Sequence, residues 1–411
     1  MTVLPNKIQT QGEASLAACL DGLELSGVRA EARAFLLDNG LPNRRIEEWK
    51  YTDLRGFLKE IPPLAQSAEA ETATPVIPAD VCLSVINGVC ADVPASLPQN
   101  VSVQSGITAS SVVHKMPNTN VALNVALASQ GYAIEIGQSD KTPIIYIDHK
   151  VVADEPVTSA SRHNVVVKEG AKAILIERFG GPDGSAYLNS VGMSVDVAKN
   201  AHFVHIRILV EGDEAIHMGV LAADIAEDAI YEPFVMSVGS KLTRSDLQIT
   251  FNGERSHGGI RGATLIKGKQ HTDMTLMVDH AAPNCTSVEQ FKSVIADEAI
   301  AVFQGKIMVK QIAQKTDAKM MSQGLLLSES GAFLNKPELE IFADDVVCGH
   351  GATCGDLNED YLFYLLSRGV PRAQAETMLI QAFVAETIEA IEQPEIVEAL
   401  EAILSNWLVN R

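Results

Sequence analysis

A short corner recurs through the middle of this chain, and it limits the available folds more than any other feature. Val167-Lys168-Glu169-Gly170-Ala171, Val197-Ala198-Lys199-Asn200-Ala201 and Ile225-Ala226-Glu227-Asp228-Ala229 share one pattern. An aliphatic residue is followed by two or three residues and then a small or polar turn residue, and alanine comes next. Gaps of 30 and 28 residues separate the three copies, and Gly331-Ala332 after Leu327 repeats the pattern. Between the corners lie short β-prone runs such as Ile144–Ile147, Asn164–Val167 and Ala173–Ile176, broken by Gly, Asn and Asp. No helix-length pattern intervenes in the middle of this region, which argues against βαβ units. A strand, a tight corner and another strand at that period describe one coil of a β-solenoid. A large sandwich with similar turns fits the same pattern, and both remain open here. The aromatic share of 5%, beside abundant Val, Ile, Ala and Gly, suits narrow stacked sheets.

The flanks read differently. From about Gln11 to Glu60, Leu16, Ala17, Leu20 and Leu23 recur at helical spacing, as do Val28, Ala32, Phe35 and Leu36. Gly40 and Pro42 then stop the helix. The charged segment Leu41–Leu54 reads as a surface loop pinned by Trp49 and Tyr51. Pro62, Pro63, Pro75 and Pro78 flank a polar, alanine-rich stretch that reads as a flexible or extended connector. Beyond Asp356, apolar residues return to helical spacing. Asp356 or Asn358 can cap the first helix, Pro371 suits the start of the second, and Pro394 opens the last. The expected division is 1–60 helical, 61–80 linker, 81–355 β-rich and 356–411 helical.

A formal charge of −20 disfavours nucleic acid and anionic membrane as partners. Met1–Gln11 lacks the pattern of a secretory leader, and no apolar run is long enough to span a bilayer. Six scattered cysteines without a CxxC pair suit free thiols in a reducing cytoplasm.

Phosphate-loop, zinc-protease and nucleophile-elbow motifs are absent from the sequence. One segment concentrates reactive side chains: Asp344-Asp345-Val346-Val347-Cys348-Gly349-His350-Gly351-Ala352-Thr353-Cys354-Gly355. Its glycines do not make a dinucleotide fingerprint, because Cys354 occupies the third glycine position. Thiolate and imidazole are ligands for zinc, copper and iron–sulfur species. On an extended strand Cys348 and His350 share a face. Two ligands are too few for a closed tetrahedral site. Cys354 supplies a third only if the chain turns back, so a second chain is needed or binding is transient. The bland alternative makes Cys348 a small buried hydrophobe and His350 a hydrogen-bonded turn residue. His202 and His205 fall on opposite strand faces, while His257, His271 and His280 read as structural or surface groups. Cys285 reads as a loop thiol of no evident role. Asp344-Asp345 is an adjacent carboxylate pair of the kind a carbohydrate-active β-helix lyase or hydrolase would use. Its neighbours on a strand face opposite ways, which suits paired acid–base work poorly.

The run from Pro337 through Arg368 closely resembles the C-terminal signature of the SufB/SufD family of iron–sulfur cluster assembly proteins. Phe303-Gln304-Gly305-Lys306-Ile307 and Leu325-Leu326-Leu327-Ser328 fit the same family, and Leu41–Leu54 looks like its SufD branch. The resemblance implies a mainly β fold, with a right-handed parallel β-helix core between N-terminal and C-terminal helical regions. It implies a non-enzymatic scaffold that pairs with SufB and docks the SufC ATPase on its C-terminal helices. Tyr361, Phe363, Tyr364 and Arg368 are the candidate SufC contacts. The nascent iron–sulfur cluster, transient and shared with SufB, is expected at the SufB–SufD interface. His350 is the inherited ligand, with Cys348 as its nearby thiol, and Cys354 inherits no role. An exposed sheet edge would also allow a homodimer of the isolated chain.

Overall fold

The computed structural model of the 411-residue chain describes residues 10–68, 74–106 and 118–411. Most of residues 1–11, read above as lacking a leader, and residues 69–73 of the expected linker lie outside the described residues.

From Val81 onward the chain passes alternately between two sheets. One has ten strands and the other nine, and neighbours within each are alternate strands in sequence. Every pairing is parallel except at the N-terminal end. There Val89–Cys90 lies antiparallel to Val81–Ile86, and Val101–Ser105 antiparallel to Tyr132–Ile136. The fold is a mainly β solenoid with helices at both ends of the chain.

The recurring corner builds it. Val167 pairs with Val197, and Val197 with Ile225, so the aliphatic positions of successive copies stack in register. The turn residue adopts the left-handed conformation, with φ of 66° at Gly170, 58° at Asn200 and 55° at Asp228. Gly, Asn and Asp tolerate that region best. The residue after it points inward where the coil narrows, so it must be small. Ala171, Ala201 and Ala229 are buried there. The column continues through Ser256, Cys285 and Thr316, each buried and each after a left-handed residue. Carbonyls in this column accept from the next coil, from Ala171 O to His202 N at 2.9 Å through Thr316 O to Val347 N at 2.8 Å. Cys285 is therefore a corner residue, not a loop thiol. The copy at Gly331-Ala332 belongs to the opposite corner, where Ala332 N–H donates to Ala299 O at 3.0 Å.

Both sheets bury their outer faces as well, which explains strands apolar on both sides. The N-terminal helices α1 (Gln11–Asp21) and α2 (Val28–Asn39), a 3₁₀ turn (Glu47–Trp49) and the short α3 (Leu54–Phe57) cover the nine-stranded sheet. A further helix, α4 (Thr119–Leu127), packs with them inside the region read as β-rich. Its Asn120 and Asn124 hid it from periodicity, because both are buried. They donate to Gly219 O at 3.0 Å and to Ser161 O and Ser190 O at 3.1 Å. The C-terminal helices α5 (Glu359–Ser367), α6 (Arg372–Ile388) and α7 (Pro394–Val409) follow, and α6 and α7 cover the ten-stranded sheet. Asn358, not Asp356, caps α5 by accepting from the Asp360 and Tyr361 N–H groups.

Part of the expected connector is pinned. Pro63 O accepts from Thr158 N at 2.8 Å, and Thr158 O accepts from Ala65 N at 2.8 Å. Proline removes its own N–H but leaves a carbonyl that docks an extended chain on the sheet.

Candidate functional site

The solenoid has unlike ends. Antiparallel strands close the N-terminal end, whereas the last coil, Ala332–Ile341 and Val347–Gly355, has no strand beyond it. Strands of the central coils are buried almost throughout, but Val347–Gly355 is exposed at most positions. Ile341, Phe342, Val347 and Met321 stand out from this end at 40%, 60%, 64% and 39% exposure. A long, flat, apolar edge with free backbone groups is a template for another chain.

Cys348 and His350 sit on that edge strand. Cys348 is in register with Ala318, and His350 with Met320. Ala318 and Met320 are buried and point into the coil. Cys348 and His350 therefore continue the inward columns into open space, on one face, as the period-two spacing requires. His350 is exposed, and Cys348 is half-buried against the core. On the opposite strand face a side chain at Gly349 would meet open space. Burial pushes the Cys348 thiol up, a backbone hydrogen bond at Ala318 opposes this, and the charges of Asp317 and Glu289 add to the rise. A metal cation would reverse that preference by favouring thiolate.

The strand stays extended to Gly355 and does not turn back. Cys354 lies six residues from Cys348, roughly 20 Å along an extended strand. It lines a different groove with Leu325, Tyr361, Leu379 and Phe383. Among the described residues, no three His, Cys, Asp or Glu side chains converge on one point that could hold a metal ion. This chain therefore offers an incomplete soft-ligand set.

Helix α5 divides its apolar residues. Leu362 is buried, whereas Tyr361, Phe363 and Tyr364 are 64%, 72% and 54% exposed. The Arg368 guanidinium lies 4.6 Å from the centre of the Tyr364 ring. Intramolecular packing thus accounts for only part of the stripe. Among the described residues, no helix is long and apolar enough to cross a membrane.

Sequence reasoning missed the polar groups inside the coil. Glu177 is fully buried, accepting from Arg207 Nε at 2.8 Å and pairing with His149 Nε2 at 3.0 Å and His205 Nε2 at 2.9 Å. Burial alone would raise its pKa, but Arg207 and the two histidines hold it well below the usual carboxylate range. Its alternation with Ile176 and Arg178 was visible; which face points inward was not. His202, as expected, faces away from His205 and pairs with Glu232 at 2.6 Å.

The family model described as "SUF system FeS cluster assembly, SufBD core domain" matches residues 150–383. The iron–sulfur cluster assembly protein SufD of Escherichia coli is 31% identical over 377 residues, covering 87% of this chain and 86% of its own length. A SufBD family protein of Synechocystis is 28% identical, covering 95% and 92%. The chloroplastic protein ABCI7 of Arabidopsis thaliana is 32% identical over 56% of this chain.

Proposed function

The chain belongs to the SufBD family of iron–sulfur cluster assembly proteins, and from that premise we propose that it is a scaffold whose bare last coil completes a cluster-building site with a second subunit. One observation carries the reading. His350 and Cys348 share a face on an unpaired edge strand, with His350 exposed and no third ligand nearby among the described residues. A SufB-type partner laid against this edge would extend the sheets and supply the missing donors. Iron or the nascent cluster is the cargo held between the two chains, with His350 as this chain's principal ligand and Cys348 beside it. The unmatched aromatic surface of α5, with Tyr361, Phe363, Tyr364 and Arg368, suits docking of a SufC-type ATPase. Hydrolysis then belongs to that partner, since this sequence lacks a phosphate loop. The reading places the protein in the cytoplasm or an equivalent reducing compartment.

The test is anaerobic reconstitution of the complex with SufB-type and SufC-type partners, followed by absorption spectroscopy. His350→Ala removes an exposed side chain, so the fold and complex formation should persist while cluster yield drops. Normal cluster yield from that variant would remove His350 from the site.

A further inference from the structure

Two coils beneath the open end lies a polar group that the packing leaves poorly satisfied. Glu289 is 0% exposed, and neither carboxylate oxygen completes a well-formed hydrogen bond, with the Ser287 hydroxyl close enough only to offset part of the burial cost. It stands in register with Met320, itself in register with His350, so it occupies the same inward column two coils down. The neighbouring column runs Ser287, Ala318, Cys348. Its middle member is a single methyl group, which leaves little between the thiol and the groups below it. Met320 leans across the core toward Gly305, where an added Cβ would meet its sulfur at 2.5 Å. A linked pair of buried polar groups neighbours this column. Ser287 is on the same strand face, and its hydroxyl lies 3.0 Å from His280 Nε2. His280 is fully buried, stacked on Phe251 with centroids 4.7 Å apart, and its Nδ1 has no partner.

A buried carboxyl this poorly satisfied is costly, and a cation removes the cost. Carboxylate, hydroxyl and neutral imidazole together form a borderline donor set suited to a divalent transition metal. We propose that Glu289, Ser287 and His280 form an inner site for a divalent ion of the ferrous kind, reached through the open end of the solenoid past Cys348 and His350. Water fills the remaining coordination positions. The inner site rests on the reading of the last coil as the place where iron arrives. Burial holds Glu289 up at about 8 and His280 down at about 4, so metal binding there releases the carboxyl proton and finds the imidazole already neutral.

The full-length chain is titrated anaerobically with Co²⁺, which reports thiolate ligation by a near-ultraviolet charge-transfer band and oxygen or nitrogen ligation by weak visible bands. The Cys348→Ser/His350→Ala double variant should lose the charge-transfer band but keep one visible-absorbing equivalent. Adding Glu289→Gln or, separately, His280→Gln should weaken that equivalent by about tenfold or more, with Fe²⁺ competing for it in the parent. Thermal melting confirms that each variant is folded, and Glu289→Gln should fold at least as well as its parent. Unchanged Co²⁺ affinity in both inner variants, or no binding at all in the double variant, would overturn the inner site. Absence of the charge-transfer band from the unaltered chain, with the visible bands intact, would instead count against the outer ligand role of Cys348.

Discussion

The guanidinium of Arg244 lies 4.4 Å from the centre of the Trp49 ring, fastening the N-terminal segment to the solenoid. Arg244 is itself held between Asp246 at 2.7 Å and Asp273 at 2.6 Å. Thr52 donates to Asp273 and lies 2.9 Å from His271 Nε2. Trp49 is buried, whereas Tyr51 is half-buried. Trp49→Ala should cost about 3–5 kcal/mol, as for large aromatic truncations in a core, and Tyr51→Ala clearly less. Urea unfolding of the two variants checks the order, and equal losses would refute the anchoring role of Trp49.

Lys292 plays the matching part for the C-terminal helices. It is almost fully buried, donates to Phe383 O at 2.8 Å, lies 4.7 Å from the Phe383 ring centre and pairs with the exposed Glu386. Lys292→Ala should destabilise by about 2–3 kcal/mol through the lost carbonyl and ring contacts. Glu386→Gln should cost under about 1 kcal/mol, because water screens that partner. Hydrogen exchange over residues 372–388 should rise in the first variant only. The reverse order would make the ion pair the main fastening.

Acid should loosen the fold from near neutrality. Burial pushes His163 to about 3 and His271 and His280 to about 4, below the ordinary value of 6.5. The unfolded chain binds these protons first, so their stabilisation is present above 6.5 and is lost as pH falls toward the folded values. Each contributes up to about 1.4 kcal/mol per pH unit in that window. Glu289 has the opposite sign. Its folded value near 8 exceeds the ordinary 4.5, so its contribution is full below 4.5 and is lost as pH rises through 8. Glu289→Gln should therefore gain more stability at pH 8.5 than at pH 5, by up to roughly 4 kcal/mol. Urea midpoints at the two pH values test this, and equal gains would disprove it.

The edge itself can be blocked without touching the coil. Val347 N–H donates inward to Thr316 O, so the N–H groups of residues 348, 350 and 352 point to the free side. Ala352→Pro removes only an outward donor, a position where proline is tolerated. The variant should fold normally yet fail to pair with a SufB-type partner, while Ala352→Ser pairs normally. Undiminished complex formation in a pull-down would show that the partner docks elsewhere.

Much of the solenoid was legible because its corners demand a particular chemistry. Gly170, Asn200 and Asp228 tolerate the left-handed turn, and Ala171, Ala201 and Ala229 fit the narrow interior. The column was hidden further on, where Arg255, Asn284 and Lys315 take the same conformation and Ser256, Cys285 and Thr316 replace alanine. Each coil tolerates those residues because size, not hydrophobicity, is what the corner selects. Helix α4 escaped because Asn120 and Asn124 satisfy their amides on the sheet rather than in water. Cys348 and His350 were found by type and spacing. Glu289 was not, since a lone glutamate in Val288-Glu289-Gln290 gives no sign of which face turns inward.

The antiparallel strands Val89–Cys90 and Val101–Ser105 have a consequence for assembly. Solenoids with two open ends can add copies indefinitely, as fibrils do. Here antiparallel strands end one side of the stack, so two chains meeting through their open ends would cover the parallel edges on which further coils add. Any pile built that way would stop at two instead of growing into a filament.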